Sequence, residues 1–468
     1  MSEFRQQAHR LADWIADYLE NSERYPVLST LTPGAVRDAL PSAAPEQGES
    51  FEAIWTDFER ILLPGITHWN HPGFFGYFAI TGSAPGVLAE FLCAALNVQA
   101  MLWRTSPAAT ELEEVAVAWL RTLIHLPDAF EGVIYDTASI STLHALAAAR
   151  EAGLPDVRGR GLAARGDVPA VRVYCSEHAH SSVDKAVMLL GFGHTALRRI
   201  PADEEFRMDA AQLARTIADD RRSGALPLAV VATVGTTSST SVDPVSAIAD
   251  ICERERLWLH VDAAYAGVAA MVPGWEWILE GSERADSVVV NPHKWLFTPF
   301  DCSVLYCRRM AVIRQAFSLT PEYLRTREGE AGVRNLMDTG IQLGRRFRAL
   351  KLWMVLRHFG AEGLRAHISE HMRLARLFAS WVEASDTFEL AAPVPFSVVC
   401  FRLRRTTTDE AHERILSAVN ATGDVFLSHT KLDGVYALRL AIGHLRTSEQ
   451  HIRKAWELVN RAAGNSSV

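Results

Sequence analysis

Ser287-Val288-Val289-Val290-Asn291-Pro292-His293-Lys294-Trp295-Leu296 is the stretch on which the fold turns. Three consecutive valines suit a strand buried on both faces, and Pro292 has no N–H with which to extend a ladder. Lys294 therefore stands just past a strand end, where open α/β sheets bind their ligands. Partial shielding from water lowers the proton affinity of a lysine, and an unprotonated amine attacks an aldehyde. Most lysines are solvated surface groups, so the rest of the chain has to choose between a surface residue and a nucleophile.

Outward from this stretch, apolar runs alternate with helix-length spacers. Gly132–Tyr135, Val171–Cys175, Leu228–Val234, Leu257–Val261, Val288–Val290 and Ser303–Cys307 read as strands. The helical spacing of Leu112, Val115, Trp119 and Leu123 predicts a helix just before them. Such alternation predicts a mostly parallel sheet with helices on both faces. Polar clusters follow the strands: Asp136-Thr137-Ala138-Ser139, Ser176 to Ser182, Gly235-Thr236-Thr237-Ser238, Asp262, and Asn291 to Lys294. In a parallel sheet they converge on one rim.

Towards the N-terminus, Leu11, Ile15, Tyr18 and Leu19 share one helical face, and Phe51, Ile54, Phe58 and Ile61 another. The Pro-containing strap between them leaves these faces to be covered either by the chain's own main domain or by a second subunit. The segment Thr67 to Phe78 is dense in aromatics and glycine, a composition that serves a pocket wall or a core. Beyond Leu350 come a long helix through Trp353, Leu364 and Phe378, strands at Ser397–Arg402 and Gly434–Ala441, and a closing helix with Ile452 and Trp456. The expected organisation is an N-terminal helical segment over residues 1–83, a large domain over 84–350 and a small α+β domain over 351–468.

Composition narrows the partners. The chain has 468 residues, a formal net charge of −8 and no dense basic run, which argues against nucleic acid or an anionic membrane and for a small molecule. The apolar segment Leu88 to Trp103 is interrupted by Glu90 and Asn97 and is too short to span a bilayer. The cysteines at 93, 175, 252, 302, 307 and 400 form no CxxC pair. No disulfide framework or metal knuckle is suggested, and a reducing, cytoplasmic setting fits.

The strand-end clusters together supply a lysine, a carboxylate, a histidine and short hydroxyl residues. Pyridoxal phosphate needs that set: an amine for its aldehyde, an acid for its ring nitrogen, a flat group on the ring and donors around a phosphate. The donor types of His178-Ala179-His180 and His260-Val261-Asp262 would also serve zinc, although zinc needs neither the hydroxyl clusters nor the Asn291 to Lys294 segment.

Thr67-His68-Trp69, Ser106 to Glu113, Ala179-His180-Ser181-Ser182, His260 to Gly267, Asn291-Pro292-His293-Lys294-Trp295 and Leu343 to Arg348 occur in this order over nearly the whole chain. In them the sequence resembles the group II pyridoxal-phosphate decarboxylases, the aromatic-L-amino-acid decarboxylase family, as a bacterial-type member. The resemblance implies an α/β fold of the aspartate-aminotransferase type (fold type I). Its features are a seven-stranded, mostly parallel sheet flanked by helices, an N-terminal helical strap and a small C-terminal α+β domain. It also implies a homodimer with active sites at the subunit interface, and conversion of tryptophan, tyrosine, phenylalanine or dopa to the amine and CO₂.

By the same resemblance Lys294 is the Schiff-base lysine, Asp262 the partner of the ring nitrogen and His180 the residue stacked on the ring. Ala138, Ser139, Thr237, Ala264, Asn291 and His293 complete the cofactor site. Tyr323 is implied as the group that protonates the substrate carbon. Trp69, Tyr77, Phe78, Ile80 and Met101 line the substrate pocket, and no metal is implied. Three departures from animal members stand out: Asp136-Thr137 replaces Gly-Ser, Ile80-Thr81 stands where they have Pro-Thr, and Met101 replaces a phenylalanine. Two other functions fit the same scaffold, an aromatic aldehyde synthase, against which Tyr323 argues, and a pyridoxal-phosphate-binding sensor without turnover.

Overall fold

The computed structural model describes the whole chain except residues 1, 155, 164, 320–323, 325, 327, 328, 330, 331, 406, 407 and 465–468. It divides into two compact units. One comprises Met1–Ala79, Leu377–Leu390 and Phe401–Val468, and the other Ile80–Arg376 and Ala391–Cys400.

Residues that open and close the chain build the first unit. It contributes to a sheet of the order β1-β11-β12-β10-β9, from Phe74–Phe75 (β1), Phe388–Leu390 (β9), Val398–Leu403 (β10, of which Phe401–Leu403 belong to this unit), Phe426–Leu432 (β11) and Val435–Ala441 (β12). β1 joins β11 in parallel, with Phe74 opposite Phe426. Gly76 is obligatory at this junction, because a Cβ there would stand 2.2 Å from the Phe426 ring. Phe378, Phe388, Phe401 and Trp456 form an aromatic core with centroid separations of 5.5–5.7 Å. The Glu3–Glu20 helix begins at Ser2, whose Oγ accepts from Arg5 N–H, but none of its residues is buried.

The second unit is organised on the sheet β2-β8-β7-β6-β5-β3-β4. Its strands are Glu131–Tyr135 (β2), Val171–Ser176 (β3), Leu197–Ile200 (β4), Leu226–Thr233 (β5), Trp258–Asp262 (β6), Ser287–Val290 (β7) and Ser303–Cys307 (β8). Neighbours are parallel except at β8, which runs antiparallel to both β2 and β7. All six strands read in this part of the sequence are present. β4 escaped notice because Leu197-Arg198-Arg199-Ile200 is a short, charged edge strand. Pro292 ends β7 as expected and opens the short Pro292–Trp295 helix, where a missing N–H costs nothing.

The other edge, β2, is covered by side chains instead of a strand. Arg121 donates to the carbonyl of Phe130 (2.9 Å), Arg334 to Gly132 (2.7 Å) and Arg345 to Ile134 (2.5 Å). Glu113 accepts from both Ile134 N–H and Arg345, each at 2.9 Å, so this buried ion pair takes the place of a neighbouring residue's backbone. The Pro107–Leu123 helix carries Glu113 inward with Ala109, Ala116, Val117 and Leu120. Val115 and Trp119, read as part of its apolar face, are instead 41% and 44% exposed.

Candidate active site

Side chains alternate along β6, so Trp258, His260 and Asp262 share one face. The Ala138–Gly153 helix lies over that face through a layer of buried hydroxyls. Ser141 pairs with Ser303 at 2.8 Å, and Thr142 with His260 Nε2 at 3.4 Å. Ser287 Oγ accepts from Trp258 Nε1–H at 3.0 Å and also lies 2.9 Å from His260 Nδ1. Burial pushes the pKa of His260 down to about 4, so the ring is neutral. Two residues on, the Asp262 carboxylate closes the strand; it is 6% exposed, and its Oδ1 accepts from Ala264 N–H at 3.1 Å.

Asp262 and Lys294 reach the same third residue. Both act electrostatically on His180, Asp262 raising its pKa and Lys294 lowering it, while loss of hydration is the largest effect and leaves the pKa below the usual histidine value. His180 Nδ1 faces Ser182 Oγ at 2.9 Å and accepts from Ser182 N–H at 3.1 Å. Its neutral ring is therefore held by the turn that follows β3. Lys294 is half-buried, and its backbone N–H is tied to Asn291 O at 3.0 Å.

His293 Nδ1 accepts from Cys302 N–H at 2.8 Å, and burial lowers the pKa of His293 to about 3, so its single proton sits on Nε2. That Nε2–H faces the Asn291 side chain at 3.3 Å, an arrangement that requires the amide oxygen there. In the opposite orientation Oδ1 would occupy a buried position that has no donor for it among the described residues. Exchanging the two ends turns that orphan position into a free N–H donor. At the start of the Ala138–Gly153 helix two more donors, Ala138 N–H and Ser139 N–H, have no acceptor among the described residues.

Residues 33–404 match the pyridoxal-dependent decarboxylase conserved domain. The chain belongs to this family. Among its relatives, tryptophan decarboxylase TDC2 of Camptotheca acuminata is 40% identical over 476 residues, covering 98% of this chain and 94% of that one. Among solved structures, Oryza sativa TDC with PLP and tryptamine superposes with a TM-score of 0.95 at 37% identity, over 99% of this chain and 98% of the other. Rhodiola rosea 4-hydroxyphenylacetaldehyde synthase gives 0.90 at 32%, over 99% and 98%.

The donor set of this decarboxylase fits pyridoxal phosphate. Two helix N-terminal N–H groups and the Asn291 amide suit a dianion. A buried carboxylate suits a protonated ring nitrogen, and an amine stands one residue beyond His293. Gly235 gives the turn carrying Thr237 its shape: its φ is +89°, and a Cβ there would meet the Ala266 Cβ at 2.7 Å. Thr237 itself is exposed, and Ala264 is buried. The zinc donors read from the sequence point apart. His178 packs edge-on against Phe206 while His180 pairs with Ser182, and among the described residues no three His, Cys, Asp or Glu side chains are arranged to hold a metal.

The residues assigned to the substrate pocket fall in both units. Trp69, Tyr77 and Phe78 belong to the first. There the Trp69 and Tyr77 rings stack at 5.8 Å and Arg439 lies 4.7 Å from the Phe78 centroid. Ile80 and Met101 belong to the second, where Met101 packs with Leu102, Leu324 and Met337. Tyr323 lies outside the described residues, but its neighbour Leu324 is buried in that cluster. Thr81 Oγ1 and Thr233 Oγ1 are among the buried hydroxyls that have no partner among the described residues, and the sequence reading assigned neither a role.

Proposed function

We propose that the chain is a pyridoxal-phosphate-dependent carboxy-lyase that converts an aromatic L-amino acid to its amine and CO₂. The observation that carries this reading is that two adjacent parallel strands, β6 and β7, lead to the buried Asp262 carboxylate and to the half-buried Lys294. Lys294 would hold the cofactor's aldehyde, Asp262 its ring nitrogen and His180 its ring face. Ala138, Ser139, Asn291, His293, Thr237 and Ala264 would enclose the rest. When bound, the cofactor supplies an electron sink for the pair left as CO₂ departs. Asp262 keeps a negative charge beside that sink, and Tyr323 returns a proton to the substrate carbon.

Trp69, Tyr77, Phe78, Ile80 and Met101 are assigned to the substrate side chain, with tryptophan, tyrosine, phenylalanine and dopa as the candidates. The names of the relatives support the aromatic class. Those cited are plant proteins, so the bacterial-type subdivision gains no support from them. A homodimer is inferred from apolar surface. Leu88, Phe91, Leu92 and Leu96, on one helix, are 58%, 51%, 48% and 60% exposed. Residues 1–83 are assigned as an N-terminal helical dimerisation segment, 84–350, which includes this helix, as the cofactor-binding domain and 351–468 as the small domain. Six free cysteines support a cytoplasmic setting.

A panel of aromatic amino acids supplied to purified protein tests the reading. Amine and CO₂ without ammonia are expected, from a yellow protein whose visible band borohydride removes. Ammonia with peroxide would mean an aldehyde synthase, and cofactor colour without product a sensor. Protein that takes up no added cofactor would end the proposal.

A further inference from the structure

The turn between β2 and the Ala138–Gly153 helix holds a carboxylate where a phosphate cradle calls for donors. Thr137 is the N-cap but forms no capping bond through its side chain. Its N–H and Oγ1–H both go to Asp136 Oδ1, at 2.6 and 3.1 Å. Ala138 N–H and Ser139 N–H remain without acceptors, as described above. Asp136 thus removes the first backbone donor of the turn and adds a negative charge next to the other two. No ion pair joins it to a cation among the described residues. Arg348, the guanidinium that feels its charge, is already bound to Asp301 through contacts of 2.8 and 3.3 Å.

We propose that Asp136 is a built-in competitor for the cofactor's phosphate, weakening the enzyme's hold on pyridoxal phosphate so that occupancy follows the free cofactor concentration. The inference rests on the reading of this turn as part of the cofactor site. Like charges close together in a partly dehydrated turn repel, and each backbone N–H spent on Asp136 is one fewer for the phosphate. Asp136→Asn keeps an oxygen for Thr137 N–H and removes only the charge. Asp136→Ser does the same with a shorter side chain.

The test uses full-length apoenzyme and reads dissociation constants by absorbance and tryptophan fluorescence. Pyridoxal phosphate is compared with pyridoxal, which lacks the phosphate. In Asp136→Asn the phosphorylated cofactor should bind about tenfold more tightly, while pyridoxal changes by less than about twofold. Should that variant not fold, as judged by circular dichroism, Asp136→Ser carries the same expectation. Unchanged or weaker binding of the phosphorylated cofactor, or an equal change for both compounds, overturns the inference and leaves the proposed function intact. Wild-type protein that binds neither compound overturns both.

Discussion

The side chain of Asn291 meets Nε2 of His293 at 3.3 Å in the protein interior, and only one orientation of the amide lets His293 donate to it. The Cys302 N–H, by occupying Nδ1 of that histidine, thus sets which way the Asn291 Nδ2–H₂ points. Asn291→Asp keeps the acceptor for His293 and loses the donor. A charge-assisted hydrogen bond contributes about 1.5–3 kcal/mol, so cofactor retention should weaken by about 10- to 100-fold. Equilibrium dialysis of holoenzyme, followed at the cofactor's visible band, measures it.

Asp262→Asn should leave the fold intact, with a melting temperature within a few degrees of wild type, and lower kcat by about a thousandfold through loss of the charge opposite the ring nitrogen. Lys294→Ala should bind cofactor without becoming labelled by borohydride. Mass spectrometry of the reduced protein reads the second effect, and steady-state kinetics the first.

Tyr323→Phe removes the proton donor proposed for the substrate carbon. Aldehyde and ammonia should then become the main products in air, with the amine recovered when oxygen is excluded. The synthase with the same fold shows that overall architecture does not decide between these outcomes, so product analysis has to.

Arg345 and Glu113 are both nearly enclosed, with side chains 6% and 2% exposed. Arg345→Met strands the Glu113 carboxylate and should cost about 3–5 kcal/mol, read from the denaturant midpoint. Adding Glu113→Gln should recover part of the loss, because a neutral amide can still accept from Ile134 N–H.

Stability should fall in acid. Burial holds His144 at a pKa of about 3, His293 at about 3 and His260 at about 4, all below the unfolded value of 6.5. Between pH 6.5 and 4 the unfolded chain therefore binds more protons at each, so stability that is complete above 6.5 drains as pH falls. Asp243 works the other way. Its pKa is raised to about 7 by burial, so its contribution is complete below 3.8 and is lost as pH rises towards 7. Three histidines outweigh one carboxyl, and the melting temperature should drop between pH 7 and 4.5 in a thermal-shift series.

Much of the second unit was legible because each functional side chain directly follows an apolar run. Val288–Val290 leads to Lys294, and Leu259 and Val261 to Asp262. Less was legible where pairing is non-local. β11 reads Phe426-Leu427-Ser428-His429-Thr430-Lys431-Leu432, too polar to announce a strand, and β1 is two residues long; they recognise each other across some 350 positions. Strand direction is equally silent, since Ser303–Cys307 reads the same whether β8 lies parallel or antiparallel. Asp136 was visible as a departure from the family, yet its hold on Thr137 N–H was not, because a hydrogen bond within one turn leaves no periodic trace.

The guanidinium groups on the carbonyls of Phe130, Gly132 and Ile134 bear on how this protein behaves at high concentration. A strand edge left bare is a template on which other chains polymerise. Here a foreign strand would have to displace three charged donors, one of them the buried Arg345, which is also paired with Glu113. Strand addition from this side of the sheet is thereby opposed, because an incoming backbone would have to replace charged donors already satisfied on the edge carbonyls.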